Sequence, residues 1–179
     1  FPDLDGDGIP STPSAQIYWI DDGTDKIQRA NANGSDITDL VTTDIVGPDD
    51  IAVDLSNGHI YWTDNASPLG PIVQADLDGN IITSGIGAGV ASGPRCIALD
   101  RINGRIYWAD NTSGTSNDRI MRVNIDGTNV QSLITTGLTD PACIALDLVR
   151  GYIYWTSAGS GKIRRSKLDG TNPQDIITS

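Results

Sequence analysis

Every tryptophan in this chain lies in a copy of one short motif, and the spacing of the copies limits what the chain can fold into. The copies are Ile17-Tyr18-Trp19-Ile20-Asp21, Ile60-Tyr61-Trp62-Thr63-Asp64, Ile106-Tyr107-Trp108-Ala109-Asp110 and Ile153-Tyr154-Trp155-Thr156-Ser157. Successive tryptophans are 43, 46 and 47 residues apart. Self-similarity at a fixed period marks a repeat architecture in which each unit buries its faces against its neighbours.

The flanks repeat as well. A Pro-x-x-Ile-Ala-Val/Leu-Asp segment precedes three of the tryptophans, at Pro48 to Asp54, Pro94 to Asp100 and Pro141 to Asp147. Gly58, Gly104 and Gly151 follow, each placed to turn a tight hairpin. After each Trp an isoleucine stands seven residues before a glycine: Ile27 and Gly34, Ile72 and Gly79, Ile120 and Gly127, Ile163 and Gly170. Asn33, Asp78, Asp126 and Asp169 precede those glycines, which makes Asn-Gly and Asp-Gly turns, and a short β-branched run follows each. Every unit therefore reads as a meander of four short strands. Side chains alternate within the motif strand, so Ile60 and Trp62 face one way and Tyr61 and Thr63 the other. Both faces carry large apolar groups, as a sheet covered on both sides requires, and no segment holds a helical period. The expectation is an all-β chain of radial blades.

These residues resemble the YWTD repeats of the low-density-lipoprotein-receptor class of six-bladed β-propellers, over about residues 16–179. Only Tyr61-Trp62-Thr63-Asp64 matches YWTD throughout; Ile20, Ala109 and Ser157 are the departures. The resemblance implies that Tyr and Trp pack between blades and that the Asp ties the motif by hydrogen bonds, a tie the fourth copy is expected to lack. It also implies a non-catalytic extracellular or cell-surface module that presents a propeller face to a protein partner. Six such blades need about 270 residues, and four copies are present. The first copy is expected to lack its inner strand, because residues 9–15 contain no Ile-Ala-x-Asp run. Three arrangements stay open: part of a longer propeller, a closed four-bladed ring, or copies that complete one another in a head-to-tail array or filament.

Residues 1–15 form an acidic, Pro-containing arm. Its Asp3-Leu4-Asp5-Gly6-Asp7-Gly8 run resembles thrombospondin type 3 repeats and the first half of an EF-hand loop. Alternate acids before a glycine suit the oxygen ligation of Ca²⁺, so Asp3, Asp5 and Asp7 are the candidate metal ligands. The match is half a site, since Ser11 and Ser14 stand where further acids belong.

The remaining features narrow the function class. With 23 acids against 12 bases the net charge is -11, which opposes binding to nucleic acid or anionic membranes. No run approaches the roughly 20 apolar residues of a membrane span, and Phe1-Pro2-Asp3 does not read as a signal peptide. His59 is the single histidine, expected in a surface turn, and supports no multi-histidine metal site. Cys96 and Cys143 occupy equivalent inner-strand positions, as small buried thiols or as a disulfide if their Cα atoms lie within about 7 Å. Asn33, Asn65 and Asn111 begin N-glycosylation triplets, expected in exposed turns. Asp54, Asp100 and Asp147 recur once per unit, which suggests a turn role rather than catalysis. The competing class is a hydrolase or lyase with an acidic or metal site at the mouth of the propeller channel.

Overall fold

The structure, a computed structural model, describes residues 15–89, 91, 93–111 and 117–178. They form fifteen strands in four antiparallel sheets. Sheet one contains β1 (Gln16–Asp21), β2 (Lys26–Asn31) and β3 (Thr38–Val41). Sheet two is the meander β4 (Pro48–Asp54), β5 (His59–Asp64), β6 (Ile72–Asp76) and β7 (Ile81–Thr83). Sheet three repeats it with β8 (Pro94–Asp100), β9 (Arg105–Asp110), β10 (Arg119–Asn124) and β11 (Gln131–Ile134). Sheet four contains β12 (Pro141–Asp147), β13 (Tyr152–Ser157), β14 (Lys162–Lys167) and β15 (Gln174–Ile177). The inner strands β4, β8 and β12 lie side by side, the radial arrangement of propeller blades.

The turn glycines explain the meander. Gly58, Gly104 and Gly151 have φ of 73°, 61° and 75°, a region that side chains with a Cβ enter only at a cost. The inner strands share one irregularity. Pairing of β4 with β5, β8 with β9 and β12 with β13 slips after the leading proline, so two residues of each inner strand stand opposite one of its partner, a β-bulge. Those residues are Asp49-Asp50, Arg95-Cys96 and Ala142-Cys143.

The core lies between sheets. Tyr18, Ile20 and Ile27 of sheet one pack on Ile60, Trp62 and Val73 of sheet two. Tyr61 and Ile72 of sheet two meet Ile106, Trp108 and Met121 of sheet three. Tyr107, Ala109 and Ile120 of sheet three meet Ile144, Ile153 and Trp155 of sheet four. Each joint thus sets the Tyr face of one sheet against the Trp face of the next. At roughly 25 cal/mol per Å² of apolar area, burying an aromatic side chain here contributes a few kcal/mol.

The candidate calcium ligands Asp3, Asp5 and Asp7, and residues 9–14 of the stretch expected to lack an inner strand, lie outside the described residues.

Candidate interaction surfaces

In sheets two and three the motif Asp ties the unit to the chain that leads into it. Asp64 accepts from the backbone N–H of Val46, Ala66 and Ser67 at 2.9, 3.1 and 2.8 Å. Burial nevertheless raises its pKa above the usual carboxylate value. Asp110, fully buried, accepts from Gly93 N–H at 2.7 Å and pairs with Arg119 at 2.7 Å. The expectation that the fourth unit lacks the tie is corrected. The Ser157 hydroxyl donates to the Thr139 carbonyl at 2.8 Å, so the tie survives with its direction reversed.

The recurring inner-strand acids are turn clamps. Asp54 receives the Ser56 hydroxyl and the backbone and side-chain N–H groups of Asn57. Burial opposes its ionisation, but these donors outweigh that and hold its pKa below the ordinary value. Asn103 does the same for Asp100, and Arg150 for Asp147.

A cleft of about 410 Å³ opens beside the bulges, lined by Asp49, Asp50, Arg95, Cys96, Asn111 and Asp140 among others. Its polar groups largely satisfy one another. Arg95 pairs with Asp49 at 2.9 Å, Asp50 accepts the Ile97 N–H at 2.8 Å, and Asn111 bonds Asp140. Cys96 directs its Sγ at the Ile144 carbonyl, 3.7 Å away, and burial pushes the thiol up to about 12. A thiol held protonated is a poor nucleophile and metal ligand. Both cysteines are free, and Cys143 is exposed rather than buried. Among the described residues no group of three or more His, Cys, Asp and Glu is placed to hold a metal ion.

Two further expectations are corrected. His59 is half-buried in β5, with its ring edge-on to Tyr61 and Nδ1 3.1 Å from Gln74 Nε2. Asn111 is buried and bonded to Asp140, so of the three glycosylation candidates only Asn33 and Asn65 are exposed.

What the sequence could not rank is the difference between joints and ends. The Tyr face of sheet four forms an apolar groove of about 200 Å³ lined by Ala145, Tyr154, Thr156 and Ile163, with Cys143 at its side. The Trp face of sheet one carries Ile17, 48% exposed, beside a half-buried Trp19.

Residues 16–55 match the family model for the low-density lipoprotein receptor repeat class B. Nidogen of Drosophila melanogaster is 38% identical over 63 residues, which is 35% of this chain and 4% of nidogen. Mouse low-density lipoprotein receptor-related protein 5 is 41% identical over 49 residues, 27% of this chain and 3% of that protein. The chain therefore spans a small part of the curated relatives it matches. A chain of a solved nidogen/laminin complex superposes with a TM-score of 0.78 at 27% identity, over 90% of this chain and 60% of that one. A gluconolactonase from Xanthomonas campestris superposes with a TM-score of 0.72 at 15% identity, over 92% and 59%. The latter shares the fold alone. The sequence likeness runs to class B repeats, and the likeness of fold to the nidogen/laminin complex extends over nearly the whole chain.

Proposed function

We propose that this chain is a non-catalytic extracellular module that binds proteins, and that its two end sheets join it to further copies of itself, head to tail. One observation carries the assembly part. Among the described residues, the surfaces that bury one sheet against the next at three internal joints have no facing sheet at sheet one and sheet four. The likeness to nidogen and to the receptor repeats supports a protein partner and an extracellular setting. No helix among the described residues is long and apolar enough to cross a membrane.

A hydrolase or lyase is favoured only by the cleft and the fold shared with a lactonase. Against it, Asp49 is paired with Arg95, Asp50 and Asp140 are taken up by hydrogen bonds, the Cys96 thiol is held protonated, and the repeated acids clamp turns. Calcium belongs to the proposal through Asp3, Asp5 and Asp7, as a ligand set on the arm that strengthens assembly.

Light scattering after size exclusion, with calcium and then with a chelator, tests both parts. Species heavier than the 18.9 kDa chain that grow with concentration are expected, and calcium shifts them upward. A single 18.9 kDa species in both conditions contradicts assembly. Assembly indifferent to the chelator removes calcium alone.

A further inference from the structure

We infer that Asn33 is a site of spontaneous covalent modification: the folded chain leaves its side-chain amide open to attack by the Gly34 nitrogen, which converts it to isoaspartate and aspartate, and protects the other Asn-Gly pairs.

The chain contains three such pairs, Asn33-Gly34, Asn57-Gly58 and Asn103-Gly104, in the β2–β3, β4–β5 and β8–β9 turns. A glycine after Asn leaves its backbone nitrogen unshielded, so the pair can close a ring on itself. All three asparagines are exposed. Their side chains are held differently.

Asn57 and Asn103 are turned back along the chain. Asn57 Nδ2 donates to Asp54 at 2.7 Å, and Asn103 Nδ2 to Asp100 at 2.7 Å. Each Asp also accepts the backbone N–H of the same asparagine, at 3.3 and 3.0 Å. These bonds direct the amide three residues back, away from the glycine ahead. The carboxylate also opposes the negative charge that an attack would build on the amide oxygen.

Asn33 is turned forward. Its Oδ1 accepts the Ser35 N–H at 2.9 Å, a bond that reaches over the Gly34 peptide. The same donor steadies negative charge on that oxygen as the Gly34 nitrogen adds to Cγ. One contact works against the attack, since the Gly34 N–H donates to the Asn31 carbonyl at 2.8 Å. Breaking that neutral bond slows the step about two- to tenfold, whereas freeing an amide from a carboxylate slows it about ten- to a hundredfold. Asn33 therefore leads by about tenfold. Its exposure belongs to the turn and not to the place of sheet one. Asp78, Asp126 and Asp169 hold the same turn position at internal joints and are exposed as well.

The step needs no cofactor. The Gly34 nitrogen gives its proton to solvent and bonds to Asn33 Cγ; the Cγ–Nδ2 bond breaks, and the nitrogen leaves with a proton from solvent as ammonia. Water then opens the cyclic imide at either carbonyl, giving isoaspartate or aspartate. Aspartate matches the Asp-Gly turns of the other sheets, whereas isoaspartate lengthens the backbone by one carbon within the β2–β3 turn. Either product adds a negative charge and removes the acceptor of the Asn33-Gly34-Ser35 triplet, so this change and glycosylation exclude one another.

The test incubates the full chain, made without N-glycosylation, in mildly alkaline buffer and in parallel in urea. Peptide mass spectrometry follows the exchange of an amino for a hydroxyl group at each pair. In the folded chain Asn33 should convert about tenfold faster than Asn57 and Asn103. In urea, where the clamps are gone, the three should convert at similar rates. Gly34→Ala, whose methyl shields the attacking nitrogen, should suppress conversion of Asn33 in both conditions and leave the other two pairs unchanged. Equal rates in the folded chain, or faster conversion of Asn57 or Asn103, overturn the inference. So does a lead of Asn33 that persists in urea, because the local sequence alone would then account for it, and so does a Gly34→Ala chain that converts like the parent.

Discussion

The two interior sheets and the two end sheets contain the same motif, yet they bury it differently. Tyr61, Trp62, Thr63 and Asp64 in sheet two, and Tyr107 through Asp110 in sheet three, are all at most 1% exposed. In sheet one Tyr18 and Trp19 are only half-buried and Ile17 is 48% exposed; in sheet four Tyr154 and Thr156 are half-buried and Ile163 is 36% exposed. Composition does not account for this, since the residue types are nearly identical. Burial belongs to the joint. Each interior sheet contributes to two joints, and among the described residues each end sheet contributes to one. Both end sheets brace their outer hairpin with a Lys–Asp pair, Lys26–Asp39 and Lys162–Asp175, at positions where sheets two and three hold no such pair.

The largest test of that difference is a pair of tryptophan deletions. Trp108→Ala should destabilise the fold by about 3–5 kcal/mol, and Trp19→Ala by about 1–2 kcal/mol, because a half-exposed ring loses less area and leaves no sealed cavity. Urea denaturation of both variants checks it, and equal losses would break the comparison. Next come the motif ties. Removing Asp110 takes a fully buried acceptor from the Gly93 N–H and from Arg119, at about 3 kcal/mol, while Ser157→Ala in the end sheet removes one neutral hydrogen bond at about 1 kcal/mol. Thermal melts of the two variants should differ accordingly.

Glycine substitutions sharpen the same contrast. Gly79→Ala forces a Cβ into the Leu40 carbonyl at φ 88°, and should cost about 2–3 kcal/mol. Gly34→Ala at φ 83° meets open space and should cost about 1 kcal/mol, from the backbone conformation alone. The smallest effect is the pH response, in which the outer-hairpin acids of the end sheets and the buried motif acid Asp64 have opposite signs. Hydrogen bonds and ion pairing with Lys26 and Lys162 hold Asp39 and Asp175 below their ordinary pKa, helped by Gln28 and Arg164. Their contribution is complete above about pH 4, the unfolded value, and is lost as pH falls through the lower folded values. Asp64 runs the other way: burial raises its pKa, so the benefit of its neutral form is present below the unfolded value and fades as pH rises through the folded one. Hydrogen exchange, corrected for intrinsic rates, should therefore show the β2–β3 and β14–β15 hairpins opening at pH 3 before β5 does.

Much of this was legible in the sequence. Four motif copies, the glycines at φ above +60° and the Asp-Gly turns locate the strands, because hairpin chemistry is local. The alternation of Ile-x-Trp with Tyr-x-Thr told which side chains share a face. What stayed hidden depends on neighbours distant in the chain. The bulges at Asp49-Asp50, Arg95-Cys96 and Ala142-Cys143 arise where pairing slips, which no residue type announces. Ser157 keeps its tie because the incoming Thr139 offers a carbonyl where Val46 and Gly93 offer an N–H. Asn111 is buried by its bond to Asp140, 29 residues away. The candidate interaction surfaces were legible as an imbalance of parts, but their position came only with the register of the joints.

Acrylamide quenching of tryptophan fluorescence across a concentration series tests the end-to-end account most directly. Trp62, Trp108 and Trp155 are at most 1% exposed, and Trp19 is the half-buried one. Tail-to-head docking covers Trp19, so one quenchable component should be present in dilute solution and should vanish as the chain is concentrated. A quenchable component that persists unchanged at every concentration, whatever the mass in solution, would contradict it.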